Sequence, residues 1–319
     1  MRAAIVAAVA LVATVSPASA QKYPLKPVRI VVPYAAGGPL DENARALGQK
    51  LASRWSQPVL VDNRGGSGGA VGAELVAKAP PDGYTLLLGN GGPITVYPHL
   101  RKKRQYDPER DLEPVTFMLS SPMLLLVHPS TPIKSVRDLV RVAKARPKGL
   151  TYASAGVGNF QHLSMELLQS LAGITMVHVP YKGAAPAFVD LLSGQVDLMF
   201  ANILGALPQV KAGRMRAIAV SSAKPSSAAP GVPPVASEYP DFDMTGWQGI
   251  FAPAGTPAPV VDRLAREIAA IVNTPEIRAK LLMLGVAPDG RGSAGFSQFQ
   301  RSEIDKWGKV IKDAGIQAD

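Results

Sequence analysis

Ser67 lies in Gly65-Gly66-Ser67-Gly68-Gly69, which meets the G-x-S-x-G spacing of a nucleophile elbow. In that device a serine on a sharp strand-to-helix turn attacks an acyl carbon while an imidazole takes its proton. The chain has four histidines, His99, His128, His162 and His178, and only His178 falls late in the sequence. It sits between Val177 and Val179 in a strand-like stretch, which suits a residue at the edge of the core. Asp62 to Arg64 separate the preceding apolar run from the glycines, and a loop with four glycines meets the pattern by composition alone. A serine hydrolase using Ser67 is the weakest function considered, and no catalytic residue is expected. Metal chemistry lacks its ligands, since the histidines are dispersed and there is neither H-E-x-x-H nor an acidic loop of calcium spacing. Gly156-Val157-Gly158 lacks the third glycine of a dinucleotide fingerprint, because Gln161 stands there, and no Walker motif occurs. No metal or cofactor is expected.

Anion binding fits better. Arg29 to Pro33 reads as a buried strand, Ala35-Ala36-Gly37-Gly38 as a turn of small residues, and Pro39 opens a helix. Leu40, Ala44, Leu47, Leu51 and Trp55 then fall on one helical face. A strand that passes through glycines into a helix start aims free backbone N–H groups, and the positive end of the helix dipole, at one spot. Asp41, near the third helical position, is placed to cap that N-terminus. The same strand–glycine loop–helix unit recurs at Thr151–Leu168, with Ser154 to Asn159 as its loop. In open α/β sheets ligands bind beyond the carboxyl ends of the strands. Two lobes facing each other would therefore direct two helix N-termini into one cleft.

The elements that must carry these loops alternate between apolar runs and amphipathic stretches. Strands are expected at Pro58–Val61, Tyr84–Leu88, Val115–Phe117 and Met123–Val127, separated by turns such as Pro80-Pro81-Asp82-Gly83. After Ser120-Ser121-Pro122 a second series of strand–helix units begins and runs to Val220, followed by a Pro/Ser/Ala-biased loop over Lys224–Pro234. Strand Gly249–Ala252, helices Pro257–Asn273 and Pro275–Leu284, and a terminal helix Phe296–Lys312 complete the chain. This alternation predicts an α/β protein with mostly parallel sheets flanked by helices.

Arg2, the apolar run Ala3–Val15 and Ala18-Ser19-Ala20 form an export signal with an A-x-A cleavage site, so residues 1–20 are expected to be removed after Ala20. The absence of cysteine excludes disulfides and thiolate chemistry. The formal charge of +10 is scattered, with one cluster at Arg101-Lys102-Lys103-Arg104 that reads as a solvated loop. No nucleic acid partner is expected, and the positive field favours anionic solutes.

Several segments resemble one family throughout the exported chain. They are Tyr23-Pro24 with Lys26 to Ile30, Val32-Pro33, Gly37-Gly38 and Asp41; Gly69-Ala70 with Gly72; and Pro81-Asp82-Gly83-Tyr84-Thr85-Leu86-Leu87. The second half adds Gly156, Gly158, His162-Leu163, His178 to Gly183, Pro186-Ala187 and Asp190 to Leu192. The chain resembles the periplasmic receptors of tripartite tricarboxylate transporters, also called the Bug (Bordetella uptake gene) family.

The resemblance implies a two-lobed, hinged fold of the type II periplasmic-binding-protein kind, closing on a small carboxylate and delivering it to membrane permease subunits. A sensor of the same fold, feeding a sensor kinase, is the alternative. In this family the carboxylate is held by backbone groups and ordered waters of the two glycine loops, which places Tyr34, Ala35, Ala36, Gly37 and Gly38 in one lobe against Ser154, Gly156 and Gly158 in the other. Asn90, Tyr181 and Asn202, at further strand ends, are expected to line the cleft, and His162 either joins them or merely packs. Lys182 is read as a surface charge. Where relatives carry Asp-Asn, this chain has Ala201-Asn202, which argues against an ammonium-bearing ligand. One lobe is expected over 21–121 with 222–319 and the other over 122–221, in a monomeric periplasmic protein.

Overall fold

The structure, a computed structural model, describes residues 23–100, 104–283 and 285–313. The expected export segment lies outside these residues, as do three members of the basic cluster at 101–104.

The strands are β1 (Val28–Val32), β2 (Val59–Asn63), β3 (Thr85–Gly89), β4 (Leu112–Val127), β5 (Thr151–Ser154), β6 (Val177–Pro180), β7 (Leu198–Asn202), β8 (Arg216–Val220), β9 (Thr245–Pro253) and β10 (Ala287–Pro288). The helices are α1 (Pro39–Trp55), α2 (Ala70–Ala77), α3 (Tyr97–Leu100), α4 (Val136–Ala145), α5 (Phe160–Ala172), α6 (Ala184–Leu192), α7 (Ile203–Lys211), α8 (Ala258–Val272), α9 (Pro275–Met283) and α10 (Ser293–Asp313). Hydrogen bonding runs β2-β1-β3-β9-β4-β7-β5-β6, with β8 and β10 also paired to β4. The expected parallel pairing holds within β1, β2 and β3, and within β5, β6 and β7. Between these parallel sets the sheet is antiparallel, because β9 returns beside β3 and β4 runs against β7, β8 and β9.

The result is a curled, mixed sheet with two lobes. Its apolar runs divide by alternation into two layers. Val31, Leu87, Leu125 and Phe251 enter one core, while Ile30, Leu86, Leu124 and Ile250 enter the other. A strand covered on both faces has no polar side to show, which is why these strands read as unbroken apolar stretches.

β4 differs from expectation. Two strands separated at Ser120-Ser121-Pro122 are in fact one strand of 16 residues. Its first part pairs with β9 as far as Pro122↔Thr245, and its last part, from Met123, pairs with β7. Proline cannot donate to a ladder, but Pro122 sits where one partner ends and the next begins. At that changeover Met123 N–H donates to Ser221 Oγ (2.8 Å) and Ser221 N–H returns to Met123 C=O (2.8 Å).

The helical turn Gly92–Val96 running into α3 also departs from the sequence pattern, in which the glycines and Pro93 and Pro98 lower helix propensity. Packing supplies what propensity lacks: Ile94 and Val96 are fully buried, and Tyr97 stacks on Tyr106 at 4.6 Å.

α1 follows its sequence closely. Pro39 starts it, Asp41 and Glu42 occupy the first turn where the dipole favours anions, and Ala44, Leu47, Leu51 and Trp55 are buried. Leu40, grouped above with that face, is only partly buried and borders a cavity.

Candidate functional site

Four helices begin on the wall of one cavity. α1 contributes Gly38 to Asp41, α5 its cap Asn159 with Phe160 and Gln161, α6 its first residue Ala184, and α7 its cap Asn202. The floor is formed by Asn90 after β3, Met123 of β4 and Gly246 to Gln248 of β9. The space measures about 630 Å³, mouth included. The first N–H groups of a helix have no intrahelical acceptor, and each N-terminus carries roughly half a positive charge. Among the described residues the wall contains no Lys or Arg, and its one charged side chain is Asp41.

Asp41 was expected to cap α1, but the cap position is Gly38, which receives no side-chain bond, and Asp41 instead reaches back to the residue before it. Its Oδ2 accepts from Gly37 N–H (2.9 Å) and from Arg45 Nε (3.0 Å). Burial pushes this carboxyl up, but Arg45 and Gly37 more than offset it and hold it below the ordinary aspartate value. The group is therefore ionised, and the Gly37 N–H is committed to it.

Tyr34 is the hub between the two sides. Its buried hydroxyl has one proton to share between Asn90 Oδ1 (2.9 Å) and the Gly68 carbonyl (3.1 Å), and it accepts from Asn159 Nδ2 (3.2 Å). Burial pushes the phenol up to about 12 against the pull of both asparagines, so it remains a neutral hydroxyl. Asn159 comes from α5, across the cleft. Two further contacts bridge the same gap: Ala35 N–H donates to Lys182 C=O (3.1 Å), and Gly68 lies against Val157 so closely that a Cβ would stand 2.1 Å from the Val157 oxygen.

The loop Ser154–Gly158 differs from the open nest of N–H groups that its glycines imply. Ala155 N–H donates to Gln161 Oε1 (2.7 Å), Gly156 N–H to Ser154 Oγ (3.2 Å), Gly158 N–H to His162 Nδ1 (3.1 Å) and Asn159 N–H to Gly156 C=O (3.2 Å). Most of its donors are satisfied within the protein. His162 is thereby a brace for the loop, and its ring stacks on His178 at 4.0 Å. His178 Nε2 meets Ser154 Oγ at 2.7 Å. Burial pushes His162 down to about 4; burial and then the His162 charge push His178 down to about 3.

Of the residues singled out in the sequence, Tyr34, Ala35, Gly38, Asn90 and Asn202 are brought together on the cavity wall, with Asp41 beside them. Ala36 and Gly37 are exposed and outside it. Ser154, Gly156, Gly158 and His162 lie behind the wall as the support just described. Tyr181 also stands off it, donating to Asp190 Oδ2 (2.5 Å). Lys182 is exposed and meets the opposite side through its carbonyl alone. Ser67 sits in a tight turn with φ of 49°, four residues beyond the end of β2, unlike an elbow.

Asn159, Gln161, Trp247 and Gln248 complete the wall without having been singled out. Asn159 did carry a signal, since Asn directly before an apolar-periodic run is a favoured helix cap. Its Oδ1 accepts from Gln161 N–H at 2.7 Å. Trp247 and Gln248 lie inside a strand, where nothing local distinguishes a cleft residue from a core one.

Two lobes around a cleft of helix N-termini define a receptor of the periplasmic-binding-protein kind. The pattern of the Tripartite tricarboxylate transporter family receptor matches residues 43–316, and the chain belongs to that family. Protein BugT of Bordetella pertussis is 34% identical over 304 residues, covering 95% of this chain and 93% of that one. Among solved structures, R. palustris Rpa4515 with adipate superposes with a TM-score of 0.88 at 36% identity, over 92% of this chain and 99% of that chain. MatC (Rpa3494) from Rhodopseudomonas palustris with bound malate gives 0.86 at 33% identity, over 91% and 100%.

Proposed function

We propose that this protein is a periplasmic receptor that closes on a small carboxylate and delivers it to the membrane permease subunits of a tripartite tricarboxylate transporter. The observation that carries the proposal is the meeting of four helix N-termini on a wall without a basic side chain. Each helix end contributes up to about 2 kcal/mol to a partly buried anion. Hydrogen bonds to a charged group add about 1.5 to 3 kcal/mol apiece. Two helix ends and two or three donors reach the roughly 8 kcal/mol of a micromolar complex after ordering costs. The adipate and malate held by two relatives of this fold support the same ligand class.

We place the hinge where β4 changes partners, near Ser121–Met123, and at the return from Ser221 to β9. One lobe then comprises 21–121 with 222–319, and the other 122–221. Rigid-body rotation about these crossings would open the cleft.

A thermal-shift screen of the mature protein against aliphatic and aromatic acids, amino acids and neutral controls tests the function. A ligand at about a hundred times its Kd stabilises by roughly 2.7 kcal/mol. That raises the midpoint by several degrees, at about 2 to 4 °C per kcal/mol. If no acid shifts the midpoint, the proposal fails. Small-angle scattering with the responding acid tests the hinge, since a profile unchanged at saturation would refute closure.

A further inference from the structure

Gly91 has no backbone reason to be a glycine. Its φ of −58° and ψ of −36° are ordinary right-handed helix, where alanine is favoured over glycine. What excludes a side chain there is a neighbour. A Cβ on Gly91 would overlap Cε2, Cζ and Cδ2 of the Phe160 ring, the three atoms nearest to it and all within 2.5 Å. Phe160 opens α5, in the lobe 122–221, whereas Gly91 belongs to the other lobe as the hinge proposed above divides the chain.

The same ring meets Trp307 of α10 edge-to-face, with centroids 5.0 Å apart and planes at 68°. Trp307 lies in the lobe of Gly91, so the ring of Phe160 enters a socket built by one lobe alone. Within that lobe Thr95 Oγ1 donates to the Gly91 carbonyl (2.9 Å), His99 Nε2 meets the Ile304 carbonyl (2.8 Å) and Trp307 Nε1 donates to Glu303 Oε2 (3.1 Å). None of these bonds reaches the lobe of Phe160, so opening the cleft leaves the socket standing. The base of the ring is fixed just as locally. Asn159 caps α5 by accepting the Gln161 N–H (2.7 Å), and Ser164 Oγ donates to the Phe160 carbonyl (2.6 Å). Seated, Phe160 is 4% exposed and Trp307 0%. An aromatic side chain carried by one body into a preformed, desolvated pocket of another is how an interface anchor is built, and two lobes of one chain meet as two proteins do.

We propose that Phe160 is a positioning residue for closure: its ring, seated between Gly91 and Trp307, fixes the angle at which the two walls of the cleft meet. The inference rests on the hinged receptor function proposed above and assigns its closing contact, whatever the ligand. The residues beside the ring keep the same register, since Asn159 Nδ2 reaches Tyr34 (3.2 Å) and a Cβ on Gly158 would stand 2.5 Å from Leu100 Cδ1. Phe160 also lines the cavity, so the seat of its ring places part of the ligand's wall.

The chain has no cysteine, so Leu60→Cys and Val189→Cys, at exposed positions one on each lobe, take spin labels selectively. Dipolar distances are measured on this labelled protein, empty and with succinate, malate, adipate and benzoate in turn, and calorimetry gives the affinities. An acid that binds should gather the wild-type distances into one narrow population. Phe160→Ala empties the socket, and Gly91→Ala obstructs it in a backbone conformation that accepts alanine. Each should leave a second, separated population at saturating acid and weaken that acid tenfold or more, the scale of a buried aromatic anchor. Gly91→Ala should do no further harm in the Phe160→Ala background, because the atoms its Cβ meets are gone. Phe160→Leu should fall between wild type and Phe160→Ala, and it carries the test if the alanine variant does not melt cooperatively. Wild-type distances and affinities in the folded variants overturn the inference and leave the receptor function standing. A lowered melting midpoint with unchanged distances overturns it too, since the ring is then packing within one rigid body. So does an added loss from Gly91→Ala in the absence of the ring, or an acid that binds without moving the wild-type distances. Failure of every acid here and in the thermal-shift screen refutes the receptor function, and this inference with it.

Discussion

Acid should loosen this protein well above the pH at which its carboxylates titrate, through the stacked histidines behind the cleft. His162 is 7% exposed, and burial holds its pKa at about 4 against an ordinary value of 6.5. Its Nδ1 already accepts the Gly158 N–H, so a proton there must displace a hydrogen bond as well as enter a buried site. Its Nε2 is 3.8 Å from Glu166 Oε1, and the other face of the pair is covered by Tyr152, whose ring stacks on His178 at 4.8 Å. The folded state therefore resists a proton that the unfolded chain takes up near pH 6.5. Stability is full above that value, falls as the pH drops below it, and levels off below the folded pKa. For His162 alone, linkage between about 4 and 6.5 amounts to about 2 kcal/mol at pH 5. His178, pushed down to about 3, acts in the same direction but not additively, because one imidazolium 4.0 Å from the other ring opposes a second.

The assay is urea denaturation at pH 8, 7, 6 and 5 for the wild type and for the His162→Gln/His178→Gln double variant. The wild type should lose at least about 2 kcal/mol between pH 8 and 5. The double variant starts lower, since the loop brace and the Ser154 contact are altered, but its profile should be nearly flat over this range. Equal slopes in the two proteins would show that these rings are not buried as neutral bases, and the argument would fail.

Two further outcomes follow from contacts across the cleft. Gly68→Ala places a Cβ against the Val157 carbonyl oxygen at a backbone φ of +65°, so it should obstruct closure and weaken the responding acid by at least tenfold in calorimetry. Lys182→Ala should change affinity by less than about 1 kcal/mol, because its side chain is exposed and its carbonyl, which holds Ala35 N–H, survives the substitution.

Much of the fold was legible because burial on both faces of a sheet leaves an apolar run that no surface segment shows. Strands β1, β3 and β7, helices α1, α5 and α8, and the repeated strand–glycine loop–helix unit follow from that and from start signals such as Pro39 at the head of α1. The continuity of β4 was hidden by Pro122, whose break in the pattern coincides with a change of partners visible only in three dimensions. The cavity wall was legible at the starts of α1 and α5, where a glycine-rich turn or an asparagine precedes an apolar-periodic helix. Gly156 and Gly158 were harder to place. A glycine loop before a helix offers N–H groups to a ligand or to its own side chains, and the ring of His162 and the amide of Gln161 decide the matter four and six residues away from the groups they bind. Trp247 and Gln248 left no local trace, because a strand end overhanging a cleft has the same composition as one inside a core.

Under the closing motion proposed above, two opposing sets of contacts bear on whether the cleft stays shut. On one side stand the Ala35–Lys182 backbone bond, the Asn159–Tyr34 bond and the fit of Gly68 against Val157. A typical bond of this kind contributes only about 0.5 to 1.5 kcal/mol net, and both partners find water when the cleft opens. On the other side, Trp247 Nε1 and Gln248 Nε2 are buried without a partner among the described residues. Each buried, unpaired group costs about 1 to 3 kcal/mol. The two bonds amount to about 1 to 3 kcal/mol and the two unpaired groups to about 2 to 6 kcal/mol of opposite sign, so the polar contacts across the cleft hold the empty protein shut only weakly. A ligand shifts such an equilibrium only by its differential affinity for the closed state.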